Sequence, residues 1–128
     1  MLGSIEYGVS MLGCPLVVVL GHDTCGAVPA SRAAVDEGTT ADGCVRDVVK
    51  RVTPASAPPT PPRGPDLIAE HVRATVALLA DRSRELAEAV AVGRTAIVGL
   101  SYCLADGRAR VVAVHGIDLP ADQQANVA

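Results

Sequence analysis

PLVVVLGHDTCGAV, residues 15–28, is the stretch on which the reading of this chain turns. Its first half is a continuous apolar run, β-branched in the middle. Such a run reads as a strand covered on both faces. Gly21-His22 ends it. From Cys25 the sequence CGAVPASRAAVDEG reads as a helix that stops at Gly38, with Pro29 tolerated only in the first turn. A strand therefore hands over to a helix. At the junction stand an imidazole, His22, and three residues later a thiol, Cys25.

Working outward, GSIEYGVSMLG places Ile5, Val9 and Leu12 on one helical face, with Ser4 as N-cap and Gly13 and Pro15 as terminators. Downstream, CVRDVVKRV spaces Val45, Val48, Val49 and Val52 helically, and Pro54 stops it. Residues 53–66 hold six of the nine prolines and read as an irregular, polyproline-leaning loop. From Asp66 as N-cap, one long helix is expected to about Val92, with Ile68, Val72, Val76, Leu79, Leu86 and Val90 on one stripe. TAIVGLSYCL is a second strand, Asp106-Gly107 a tight turn, and ARVVAV a third strand pairing back. The tail, residues 116–128, reads as frayed. No internal repeat is visible. Strands separated by helices give an α/β fold: a mostly parallel sheet flanked by helices, ending in an antiparallel hairpin strand.

Composition bounds the rest. A chain of 128 residues is one domain, and 49% hydrophobic with 20% charged residues is globular rather than disordered. With no Phe or Trp and only two Tyr, the core must come from Val, Leu, Ile and Ala. A net charge of −3 argues against a nucleic-acid partner or an acidic membrane surface. No apolar run approaches the ~20 residues of a membrane span. No export signal is readable, so the four irregularly spaced cysteines read as reduced thiols of a cytoplasmic protein.

In parallel α/β sheets, ligands bind just beyond the carboxyl ends of strands, where His22 and Cys25 fall. A thiol at a helix N-terminus is biased toward thiolate by the helix dipole. Thiolate with imidazole suits Zn²⁺ better than Mg²⁺ or Ca²⁺. The plain structural reading stays open beside this one: His22 capping the turn and Cys25 a small buried hydrophobe. Cys14 and Cys103 read as buried small hydrophobes, and Cys44 lies near a helix start. His71, beside Glu70 and Arg73, reads as part of a solvated face, and His115 as a surface residue. A Cys25–His22 nucleophile–base pair lacks a third orienting residue, and the glycines match no phosphate loop.

The stretch SIEYGVSMLGCPLVVVLGHDTCGAV resembles the second zinc-ligand segment of the β-class carbonic anhydrases. That family shows a Ser-Leu/Ile-Glu-Tyr helix, an apolar strand, then Gly-His-x-x-Cys-Gly-Ala. VRDVVKRV, HVRATVALL and AIVGLSYCLADGRARVV resemble its later helices and closing hairpin, while the Pro-rich loop departs from it. The resemblance implies a partial β-carbonic-anhydrase fold and zinc-dependent, reversible hydration of carbon dioxide to bicarbonate. It implies His22 and Cys25 as zinc ligands, Gly26 as a point of close backbone approach, and Asp23 and Thr24 as hydrogen-bonding neighbours. The family's third ligand and an Asp/Arg pair come from an earlier Cys-x-Asp-x-Arg motif. These 128 residues do not contain that motif, so no catalytic side chain is identified. The expectation is a fragment lacking the early strands, with impaired activity. The family forms dimers and tetramers, and this chain is expected to self-associate through an exposed edge at Leu16–Leu20. The alternatives are a non-catalytic zinc- or partner-binding module, or a gene remnant with no selected role.

Overall fold

Each apolar run that alternates or branches like a strand forms one. A computed structural model describes residues 1–24, 33–34, 36–38, 42–43, 46–47, 50 and 65–118. Strands β1 (Leu16–His22), β2 (Ala96–Cys103) and β3 (Arg108–His115) form one sheet in the order β1-β2-β3. β1 runs parallel to β2, in register from Leu16↔Ala96 to His22↔Tyr102. β3 pairs antiparallel with β2, with one irregularity between Gly99 and Leu100. The hairpin closes where Asp106-Gly107 predicts. Gly107 takes φ +68, the left-handed region that favours glycine, and the Arg108 N–H donates to Asp106 Oδ1 at 3.0 Å. The α/β architecture and the closing antiparallel strand are therefore as read from the sequence.

Helices α1 (Leu2–Ser10), α2 (Pro65–Arg82) and α3 (Arg84–Ala91) build the core on one side of this sheet. The predicted stripe is the buried face except at Val90, which is half-buried. Ile68, Val72, Val76 and Leu79 of α2 and Leu86 of α3 are all buried. α2 packs so closely that a Cβ on Gly99 would sit 2.6 Å from a Val72 methyl, and one on Gly21 2.7 Å from the other. Glycine at these two positions is what lets helix and sheet meet. Val9 of α1 joins Val76, Leu79, Leu86, Ala89 and Ile97 in the main core cluster.

Several expectations are corrected. The helix expected as one piece from Asp66 to Val92 is two. Ser83 is extended (φ −121, ψ 110), accepts a hydrogen bond from the Leu86 N–H at 3.2 Å and so caps α3. Its hydroxyl donates to Glu6 Oε1 at 2.7 Å, tying α1 to the break. Leu79 and Leu86 lie seven residues apart, two helical turns, so the apolar stripe keeps its phase across the break and hides it. α2 starts at Pro65 rather than after Asp66; proline suits a first turn because it has no N–H to leave unpaired. Ser4 is not an N-cap: it lies inside α1, its N–H bonding to the Met1 carbonyl at 3.1 Å.

β1 is not covered on both faces by the described residues. Its burial alternates, with Val17, Val19 and Gly21 half-buried and Leu16, Val18 and Leu20 exposed at 50%, 48% and 58%. Cys14 and Cys103 are partly exposed unpaired thiols rather than buried hydrophobes. His71 is half-buried, and loss of hydration pushes its pKa below the ordinary 6.5, so it is not on a fully solvated face. His115 is exposed, as expected. Of the two helices expected between β1 and α2, Ala33, Ala34, Asp36, Glu37, Arg46, Asp47 and Lys50 are helical, and Gly38 follows with φ +66. The rest of those segments, Cys44, residues 53–64 of the Pro-rich loop and residues 119–128 of the tail lie outside the described residues.

Candidate metal centre

His22 is the last residue of β1, opposite Tyr102 in the parallel ladder. Strand alternation decides which way it faces. It is in phase with Leu16, Val18 and Leu20, and like them it is exposed. It therefore stands at the carboxyl edge of the sheet, on the face away from α2. Its Nδ1 lies 3.3 Å from Thr24 Oγ1. No hydrogen bond to its Nε2 is found among the described residues. An imidazole held through one ring nitrogen, with the other directed outward, is how proteins orient a metal-binding histidine.

Asp23 continues the turn and grips the neighbouring hairpin. Its backbone N–H donates to the Tyr102 carbonyl at 3.2 Å. Its Oδ1 accepts from the Leu104 N–H at 3.2 Å. Hydrogen bonding with the Cys103 thiol, followed by that from the Leu104 N–H, holds Asp23 below the usual carboxylate range. Cys103 feels opposing pulls. The Asp106 N–H favours its thiolate, but the Asp23 carboxylate, burial and the Asp106 carboxylate outweigh it, and the thiol is raised above its ordinary value. Cys103 is thus biased away from the thiolate form that ligates metals.

Of the five residues singled out in the sequence, the structure brings together His22, Asp23 and Thr24, while Cys25 and Gly26 lie outside the described residues. Among the described residues, no group of three or more His, Cys, Asp or Glu side chains is placed to hold a metal. The donor chemistry of His22, held at Nδ1 by Thr24 and without a hydrogen bond to Nε2 among the described residues, suits one ligand of a soft-metal set. Sequence reasoning missed the hairpin's part in the site. Cys103 and Leu104 stand at the carboxyl end of the strand paired in parallel with β1, and parallel neighbours finish at the same edge of a sheet. That topology was the available signal.

Comparisons with known proteins bear on the family and the fold. The Carbonic anhydrase family model matches residues 1–109. A carbonic anhydrase of Mycolicibacterium smegmatis is 52% identical over 110 residues, covering 84% of this chain and 53% of that protein. Carbonic anhydrase 2 of Mycobacterium tuberculosis is 50% identical over 111 residues, covering 84% of this chain and 54% of its own length. The chain thus spans about half the length of the curated relatives it matches. Among solved structures, the wild-type β-carbonic anhydrase CafD of Aspergillus fumigatus superposes with a TM-score of 0.56 at 21% identity, over 84% of this chain and 62% of that one. A cysteine-to-alanine mutant of the same enzyme superposes equally well. With a family match over most of its length and about half its residues identical to these relatives, the chain belongs to the carbonic anhydrase family and carries part of the β-class fold.

Proposed function

We propose that this chain contributes to a zinc-dependent site for the reversible hydration of carbon dioxide to bicarbonate. The observation that carries this reading is the placement of His22, exposed at the carboxyl edge of the sheet with Nδ1 against Thr24 and no hydrogen bond to Nε2 among the described residues. His22 and Cys25 would hold the ion, His22 as a neutral imidazole and Cys25 as a thiolate. Zinc in such a site supplies acidified water, its pKa lowered to about 7, as the nucleophile for carbon dioxide. Thr24 fixes the ring of His22, Asp23 fixes the turn, and Gly26 lets backbone come close. A third donor and the Asp/Arg pair would have to come from outside these 128 residues, which contain no Cys-x-Asp-x-Arg.

Two donors bind zinc far more weakly than three. The purified chain is therefore expected to carry well under one zinc per chain after dialysis and to hydrate carbon dioxide barely faster than buffer. Elemental analysis and stopped-flow assay test this. One zinc per chain, or turnover near about 10 per second, would show that a full ligand set is present after all. His22→Ala and Cys25→Ser should each remove the residual binding, whereas Cys103→Ser should leave most of it.

The same reading extends to assembly and location. Among the described residues β1 pairs with β2 alone, so its other edge offers a ladder of backbone groups to a further strand. We propose self-association there, alongside the dimers and tetramers typical of the family. Unpaired Cys14 and Cys103 suit the reducing cytoplasm. Among the described residues, no helix is long and apolar enough to cross a membrane.

A further inference from the structure

We propose that Asp23 is a positioning residue for His22, clamping the ligand turn to the β2–β3 hairpin; this rests on the reading of His22 as a metal ligand. His22 alone is poorly held. Among the described residues it ends a strand that has one neighbour, its side chain is exposed, and the side-chain hydrogen bond it makes there is to Thr24, inside the same turn. Strand ends of this kind fray.

Asp23 supplies what His22 lacks. Its backbone N–H extends the ladder one step past His22, onto the Tyr102 carbonyl. Its carboxylate then takes the Leu104 N–H at 3.2 Å. Main chain and side chain of one residue are thus fixed to Tyr102 and Leu104, at a strand end that is remote in sequence. Because Asp23 follows His22 directly, fixing its peptide fixes the direction in which the His22 side chain leaves the strand.

The hairpin end of the clamp is itself braced. The Gly107 N–H donates to the Cys103 carbonyl at 3.0 Å, and Asp106 takes the Arg108 N–H. The turn that Asp23 grips is therefore ordered by its own bonds. The essential feature is an acceptor oxygen at the reach of a short side chain, not the negative charge. Asparagine presents that oxygen and alanine does not.

The test uses the purified chain, with cobalt(II) as probe. Without metal, the Leu104 amide should exchange slowly in the wild type, about tenfold faster in Asp23→Ala, and near the wild-type rate in Asp23→Asn. With cobalt, Asp23→Ala should weaken binding at least about tenfold, the lower end of losses when a ligand's supporting hydrogen bonds are removed, and should change the visible absorption of the bound ion. Asp23→Asn should restore both affinity and spectrum. Should Asp23→Ala fail to fold, Leu104→Pro deletes the donor instead and should give the same loss. Unchanged cobalt affinity and spectrum in Asp23→Ala or Leu104→Pro would overturn the positioning role and leave the metal reading standing. An Asp23→Asn variant as weak as Asp23→Ala would overturn it too, by showing that charge rather than geometry matters. A wild-type chain whose cobalt affinity does not respond to His22→Ala would remove the metal reading, and this proposal with it.

Discussion

The two faces of strand β1 are made of the same kinds of residue and lead opposite lives. On one, Val17, Val19 and Gly21 lie beneath helices, as do Ile97 and Gly99 of β2; Ile97 is 0% exposed, and neither glycine has room for a methyl group. On the other, Leu16, Val18 and Leu20 remain about half exposed and lead in phase to His22. Within β1 the difference follows register, since successive side chains of a strand point to opposite faces, whereas the central strand β2 is buried on both faces over Ala96 to Gly99. It teaches that stability and candidate chemistry occupy opposite sides of one strand, and so should respond separately to mutation.

The largest effects should come from the covered face. Leu86→Ala removes a fully buried side chain from the main cluster and should cost about 2–5 kcal/mol in denaturant unfolding. A loss below about 1 kcal/mol would mean this face is not the stabilising one. Gly99→Ala forces a methyl against Val72, Val76 and Ala113. Overpacking of this kind should cost about 1–3 kcal/mol. Ser83→Ala removes the cap of α3 and leaves Glu6 without its partner there; about 0.5–2 kcal/mol is expected from the cap. On the open face, Val18→Lys should change stability by less than about 0.5 kcal/mol while reducing association in sedimentation velocity. A cost as large as that of Leu86→Ala would show the open face to be covered in the native protein.

The smallest effect is a pH dependence that sharpens the same contrast. Burial holds the folded-state pKa of His71 below its ordinary 6.5, so the unfolded chain binds its proton first as pH falls. Stability should therefore be full above about 6.5 and decline as pH drops from there toward the lower folded pKa. His71→Gln should flatten that part of the profile in thermal melts. A profile unchanged by the substitution would place His71 in solvent after all.

Much of this was legible in residues. The apolar run at Leu16–Leu20, the Asp106-Gly107 turn and the stripe from Ile68 to Leu86 each follow from one short-range rule of spacing or turn chemistry, and each forms where it is read. The break at Ser83 was hidden because a seven-residue step keeps the apolar stripe in phase whether or not the helix is continuous. The coverage of β1 was misread because an all-apolar strand looks the same with one face open or none; neighbours, not composition, decide. At the site, His22 and Thr24 could be marked from the motif. The grip of Asp23 on Leu104 could not, because it joins residues that only the parallel pairing brings together.

That pairing also orders events in time. β2 and β3 meet across residues 104–107, whereas residues 23–95 separate the end of β1 from the start of β2. Closing the longer loop costs roughly 2.5 kcal/mol more in chain entropy, and distant contacts of this kind slow folding. The hairpin with α2 and α3 is thus expected to assemble first and to receive β1 last. Leu86→Ala should then slow refolding, while Val17→Ala should mainly hasten unfolding. His22 rides on the late strand, so metal capture would report completion of the fold rather than guide it.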